Sequence, residues 1–600
     1  MAVVLAAAAV LVAGCVQLTG PAVAVEPGPA AARCGAPSYS CLLPFPSNRF
    51  TRPDPDSATG LRPYLPPDAF PASVLDKVGP RDLVEQGLAS SDGFSPVSPV
   101  LFQVPDSLGP SSVPADGGDV IEVWNLSTRR RVPIRAELAD EGYDELGRRN
   151  IVVVWPVTVF DQATTFLAVI RRGMLDASGN PAVASPSLAD APNEVRDAAR
   201  SVHPEIPWGD YLAATTFTTR SQATIDTHVN EMASIVRAAD HPIRNIELQP
   251  PLVGGAVAVS GQVRVTDFRD AAGMIPLDRV PTPSEHWVDF LLALPSDPPA
   301  AGAPIFIYGH GITASKETMI VLAGQQAAKG FATVGIDLPN HGSRTNEGGY
   351  MLDLAYPSEL GRLTSMLLQS ELDHLSLLRA IQQHFSEIDV YPLDPVSGRG
   401  GDGRRDVNPT EVLYSGTSLG GVLGAEFVSL APELKGALFQ VPGSGIMDTL
   451  YHSVFWDVFK SAMPGGLAVG DAAVMTFMAQ SALDRADNTF YLDRIRATGM
   501  PVLVEYAIGD GLVPNTSTDR MLALLDLPMM GTRLSELPEG IGSRHTAGLP
   551  ADGRAFVQVP GAPGDTLLSK FATHLQFMDP VSVAASDRWL DQRAAALRRG

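Results

Sequence analysis

The stretch EVLYSGTSLGGVLGAEF, from Glu411 to Phe427, limits the possible folds more than any other. EVLYS reads as a short strand, GTSLGG as a tight turn and GVLGAEFVSL as a helix. A chain that passes this abruptly from strand to helix needs glycine where backbone crowds backbone, and Gly416 and Gly420 flank Ser418 at the turn. With 55 glycines in 600 residues, the bare pattern G-x-S-x-G arises by chance in about one such chain in three. A strand before it and a helix after it make coincidence far rarer. The turn lifts the serine oxygen to a helix N-terminus, where developing negative charge is favoured. Ser418 is therefore expected to be a nucleophile rather than a serine in a glycine-rich turn.

The same alternation extends on both sides of this turn. From about residue 246, strands such as AVAVSGQVRVTDF, HWVDFLLALPS, APIFIYGHG and FATVGIDLPNHG are interleaved with helices. One long helix places Leu368, Leu372, Leu375, Leu378, Ile381 and Phe385 on a single buried face. This predicts an α/β domain over 246–600, with a mostly parallel sheet covered by helices. The first half reads differently. VIEVWNL, RVPIRAEL, NIVVVWPV and TTFLAVIRRGMLDASGNP predict short strands of a β-rich, Ig-like sandwich over 34–245, with a helical extension at its end. Six hundred residues exceed what one core usually organises, in keeping with two domains.

A nucleophilic serine needs a base, and the base needs an orienting acid. On a sheet of this kind the chain order is serine, acid, histidine. MPVLVEYAIGDGLVPN ends a strand at Asp510, on the edge where catalytic groups gather. Asp519 and Asp526 are expected on the following helix, solvated. His574, in SKFATHLQFM, follows the last predicted strand, AFVQVP, whereas His545 precedes it. His574 is thus the expected base. The N–H groups of Leu419 and Ile312 are the expected oxyanion donors. Ile312 follows His310 and Gly311, a His-Gly pair expected to shape the substrate side of its loop, with His310 itself expected to be structural. His341, in LPNHGSR, is expected in a structural turn. The insert 444–494, rich in Met, Phe and Trp, is expected to be a cap over an acyl cleft or a helical insertion packed against the sheet. No metal or organic cofactor is required.

Charge and leader bear on location. A net charge of −22, from 44 basic and 66 acidic residues, repels phosphate backbones and argues against nucleic-acid binding. AVVLAAAAVLVAGC has the length of a signal-peptide core, and LVAGC resembles a bacterial lipobox ending at Cys15. Residues 1–14 would then be a signal peptide, Cys15 the lipid attachment point and 15–33 a tether. An ordinary signal peptide cut near AVAVE is the alternative. Cys34 and Cys41 could close a small disulfide loop in an oxidising compartment. The expectation is an extracytoplasmic protein, lipid-anchored to the membrane or envelope, or else secreted.

Taken together, these residues make the second half resemble an α/β-hydrolase. The first half, through LPFPSNRF and DGFSPVSPV, resembles the N-terminal region of bacterial virulence-factor lipases, which are surface lipoprotein lipases and lysophospholipases. The resemblance implies an exported ester hydrolase acting on lipid or other acyl esters. Acyl transfer or polyester depolymerisation by the same triad, and a non-catalytic envelope-binding protein, are the alternatives.

Overall fold

The computed structural model describes residues 40, 42–65, 88, 90–139, 147–250, 256–345, 360–391, 400–461, 469–538 and 540–598. Cys15, Cys34 and Cys41, with the expected leader and tether, lie outside them.

Among the described residues of the first half, a hairpin of β1 (Thr51–Pro53) and β2 (Leu61–Pro63) precedes β3 (Val100–Gln103), β4 (Ile121–Asn125), β5 (Arg130–Arg131), β6 (Ile134–Leu138), β7 (Ile151–Pro156), β8 (Thr165–Arg171) and β9 (Tyr211–Thr218). They form two sheets, in the orders β3-β7-β6 and β5-β4-β8-β9. Helix α1 (Asn193–Val202) lies between β8 and β9, and α2 (Gln222–Ala238) follows.

The region is β-rich, as expected, but its pairing is not that of an immunoglobulin domain. There the second strand pairs with the first and fifth. Here the second strand, β4, pairs with the third and sixth, β5 and β8. The cause is local. The Asn125 side chain accepts hydrogen bonds from the N–H groups of Ser127 and Thr128, closing a tight turn that keeps β4 and β5 in one sheet.

The second half is built on β10 (Ile243–Gln249), β11 (Val257–Asp267), β12 (Ser284–Leu294), β13 (Ala303–Gly309), α3 (Ile320–Ala328), β14 (Ala332–Ile336), α4 (Leu360–His384), β15 (Val407–Thr417), α5 (Leu419–Leu430) and β16 (Ala437–Gln440). The insert contributes α6 (Ile446–His452), α7 (Trp456–Ser461), α8 (Val469–Leu483) and α9 (Leu492–Thr498). Then come β17 (Val502–Ala507), α10 (Asn515–Leu525), β18 (Met529–Met530), β19 (His545–Thr546), β20 (Ala555–Val559), α11 (Leu567–His574) and α12 (Pro580–Leu597).

These strands make one 11-stranded sheet, ordered β10-β11-β12-β14-β13-β15-β16-β17-β20-β18-β19. It is antiparallel from β10 to β14 and parallel from there on. Trp589 and Leu590 of α12 cover one face, against Phe306, Leu413 and Leu503. The opposite face packs against α4 and α5 in a core that continues into the first half, to Val100 and Trp155. The chain leaves β13 for β14 on one side, and β15 pairs on the other. Such a reversal opens a crevice at the strands' C-terminal ends.

Candidate active site

Ser418 links β15 to α5 with φ 58° and ψ −121°, a region that non-glycine residues rarely occupy. Close packing holds it there. A Cβ on Gly416 would lie 2.2 Å from the Gly420 carbonyl oxygen, and one on Gly420 would lie 2.1 Å from that of Gly309. Both glycines are therefore required by contact distance. The N–H of Ser418 donates to Gln440 O at 2.9 Å, fixing the turn to β16.

Asp510 lies in the loop after β17. Its Oδ1 accepts from the N–H groups of Leu512 (2.9 Å) and Val513 (3.1 Å), which leaves Oδ2 free to face the crevice. The Asn515 side chain braces the loop, accepting from Gly509 N–H and donating to Ala507 O. His574 is the last residue of α11, a helix begun by a Thr566–Ser569 capping box. The structure brings these three side chains together: His574 Nδ1 is 2.7 Å from Asp510 Oδ2, and Nε2 is 2.7 Å from Ser418 Oγ. With the Nδ1 proton donated to the carboxylate, Nε2 accepts the serine hydroxyl. The exposures of Ser418, Asp510 and His574 are 9%, 6% and 5%, so water competes little with these bonds.

The loop after β13 faces Ser418. A Cβ on Gly311 would lie 3.4 Å from Ser418 Cβ, so this glycine abuts the serine. His310 does not reach the substrate side. It is fully buried, its Nδ1–H donates to Gly311 O (2.8 Å), and its Nε2 accepts from Leu338 N–H (3.0 Å). Burial lowers its pKa to about 4, so it is a neutral strut behind the loop. Of the two places expected for His310, the structural one is therefore the one it occupies, and not a contact with substrate. His341 sits in a buried turn, with Nδ1 2.9 Å from Pro339 O. Leu419 opens α5, so its N–H has no acceptor within the helix. Leu419 and Ile312 both border the cavity beside Ser418.

The alternatives lie elsewhere. His545 is exposed on the outermost strand, bonded to Gly531 O. Asp526 is exposed just past α10. Asp519 departs from expectation: it lies on α10, but burial raises its carboxyl pKa to about 6.

The cavity at Ser418 has a volume of about 110 Å³ and is lined almost wholly by apolar side chains, among them Leu363 and Met366 of α4, Val422 of α5, and Ile446 and Leu450 of α6. The helices of the insert do different things. Helix α6 and Phe455 form pocket wall, whereas α8 packs against the first half, with Ser98 Oγ donating to Phe477 O at 3.2 Å. Leu512 and Val513 also line the pocket. Their apolar pair, one glycine after Asp510, was a usable signal that sequence reasoning passed over. Among the described residues, no group of three or more His, Cys, Asp or Glu side chains could hold a metal ion, and no helix is long and apolar enough to cross a membrane.

No family model matches the chain, and no curated protein matches it. Among solved structures it is similar to the acetyl xylan esterase from Paenibacillus sp. R4, with 14% identity over 50% of this chain and 84% of that one and a TM-score of 0.32. Acetyl xylan esterase 1 from Thermoanaerobacterium sp. JW/SL YS485 shows 14% identity over 59% of this chain and 93% of that one, with a TM-score of 0.33. The Pyrococcus furiosus esterase Pf2001 shows 12% identity over 52% and 87%, with a TM-score of 0.29. Scores this low add no weight to the geometry.

Proposed function

We propose that this chain is a serine hydrolase of the α/β-hydrolase type that cleaves carboxylic esters of hydrocarbon acyl groups. The observation that carries the proposal is the unbroken hydrogen-bond chain from Ser418 Oγ through His574 to Asp510. His574 Nε2 takes the hydroxyl proton as Ser418 Oγ attacks the acyl carbonyl carbon. Asp510 holds the imidazole in orientation and stabilises the imidazolium, whose place at the end of α11 favours positive charge. The N–H groups of Leu419 and Ile312 receive the oxyanion. The imidazolium then protonates the leaving alcohol, and water deprotonated by His574 releases the acid and restores Ser418.

The apolar cavity supports a hydrocarbon acyl group. Export and an anchor at Cys15 are proposed on the sequence resemblance alone, and the lipid esters that the resemblance implies are one arm of the test. The test is hydrolysis of an ester series from acetyl to palmitoyl, with Ser418→Ala in parallel. Turnover of at least one ester, reduced by about ten-thousandfold or more in the variant, is expected. Equal turnover by both proteins would remove the proposal.

A further inference from the structure

Helix α6 has two working faces. Ile446, Thr449, Leu450 and Ser453, at helical spacing, line the cavity beside Ser418. Asp448, Tyr451 and His452 point the other way, into the first half. Asp448 is fully buried. Its Oδ1 is 2.7 Å from Arg135 Nη2 and 2.7 Å from His452 Nδ1, and its Oδ2 is 2.6 Å from Arg520 Nη2. His452 Nε2 is 2.8 Å from Glu137 Oε1, which also accepts from Trp155 Nε1 at 2.7 Å. Arg135 and Glu137 alternate along β6, so both project from one face of its sheet. Trp155, paired with Arg135 across the strands, packs its ring on Tyr451 and His452. The buried Arg520 ties α10 to the same seam, donating to Thr158 O (2.7 Å), Pro156 O (3.2 Å) and Ser444 O (3.1 Å). A second seam pins the far end of α8. Ser95 Oγ donates to Asp484 Oδ1 at 2.7 Å, and Arg220 Nη1 lies 3.1 Å from Oδ2.

We propose that the first half is the specificity element of the site: through Arg135 and Glu137 it fixes α6, and α6 limits the acyl group to a few carbons. The proposal rests on the ester-hydrolase function above and narrows it. A cavity of about 110 Å³ is smaller than the roughly 150 Å³ apolar cavity that holds one benzene. Room inside it for a longer chain comes from moving a wall. The walls from α4 and α5 belong to the packed layer over the sheet, whereas α6 is held by ion pairs to β6, a strand outside that sheet. Arg135 and Glu137 are positioning residues, since they touch no reacting atom.

The experiment compares kcat and KM for p-nitrophenyl acetate, butyrate and octanoate in the full chain, in Arg135→Met and in Glu137→Gln. Thermal unfolding and the rate of labelling by a small fluorophosphonate are measured alongside. Glu137→Gln preserves shape and guards against loss of folding in Arg135→Met. The wild type is expected to favour acetate or butyrate over octanoate by about tenfold or more in kcat/KM. Both variants are expected to reduce that ratio several-fold, chiefly through KM, with labelling unchanged. A wild type that prefers octanoate, or variants that lose activity on all three esters in proportion, would overturn the proposal. Absence of both turnover and labelling in the wild type would instead remove the hydrolase function on which it rests.

Discussion

At Gly420 an added methyl would press on the Gly309 carbonyl, a backbone atom that cannot swing away. Gly420→Ala is therefore expected to cost about 1–3 kcal/mol of stability in chemical denaturation. It should also slow fluorophosphonate labelling, because relief of the contact shifts the Ser418 turn. Asp510→Asn leaves a side chain of nearly the same shape but can turn His574 to the wrong tautomer. A fall of about ten-thousandfold in kcat with little change in KM is the expected outcome in steady-state kinetics. These residues were legible in the sequence because each directly follows or closes an element whose pattern is strong: EVLYS before Ser418, VLVEYA before Asp510 and AFVQV ahead of the helix bearing His574. A structural place for His310 was legible, but its partners were not. Its nitrogens are satisfied by the carbonyl of its neighbour and by an amide after the adjacent strand, contacts that no local pattern announces.

Among the elements, three neighbouring parallel strands carry a polar ladder beneath the nucleophile. Thr417 Oγ1 donates to Gln440 Oε1 (3.0 Å), and Gln440 Nε2 donates to Glu505 Oε2 (2.9 Å). Ser586 of α12 bonds the other Glu505 oxygen. The register pairs Thr417 with Gln440 and Gln440 with Glu505, so the three share one face of the sheet. Burial pushes the Glu505 carboxyl up to about 7, against the hydrogen bonds it accepts. The folded chain then keeps a proton that the unfolded chain sheds near pH 4.5. Stability from this group accordingly falls as pH rises between about 4.5 and 7. Glu505→Gln should flatten that slope in denaturation measured across the window. The strands and helices themselves were readable from hydrophobic periodicity. The ladder was not, because its register depends on which strands become neighbours. The immunoglobulin expectation failed for a related reason: strand-like runs such as VIEVWNL and RVPIRAEL were visible, but which of them pair was not.

Across the whole molecule, the two halves share one apolar core and meet at charged seams. Arg135 and Asp448 are 313 positions apart, so sequence reasoning could expect a cap without seeing what braces it. DGFSPVSPV, noticed only as a likeness, supplies Ser95 and Ser98 to that bracing. Arg520→Ala would leave Asp448 and three carbonyls short of a buried partner, and a loss of about 3–5 kcal/mol is expected in chemical denaturation. The seam also responds to pH. Burial would lower the His452 pKa, but hydrogen bonds to Asp448 and Glu137 carry it up to about 9, while the cations Arg135 and Arg520 face the same carboxylate. The stability it adds is complete below pH 6.5 and is lost as pH rises through about 9. Denaturation of His452→Gln should lack that alkaline loss.

The central claim, that Ser418 is a nucleophile activated by His574 and Asp510, is tested most directly by treating the folded protein with a fluorophosphonate and locating the adduct by peptide mass spectrometry. A single adduct on Ser418, absent in Ser418→Ala and formed far more slowly in His574→Ala, is the predicted result. An unlabelled folded protein, or an adduct on another serine, would contradict it.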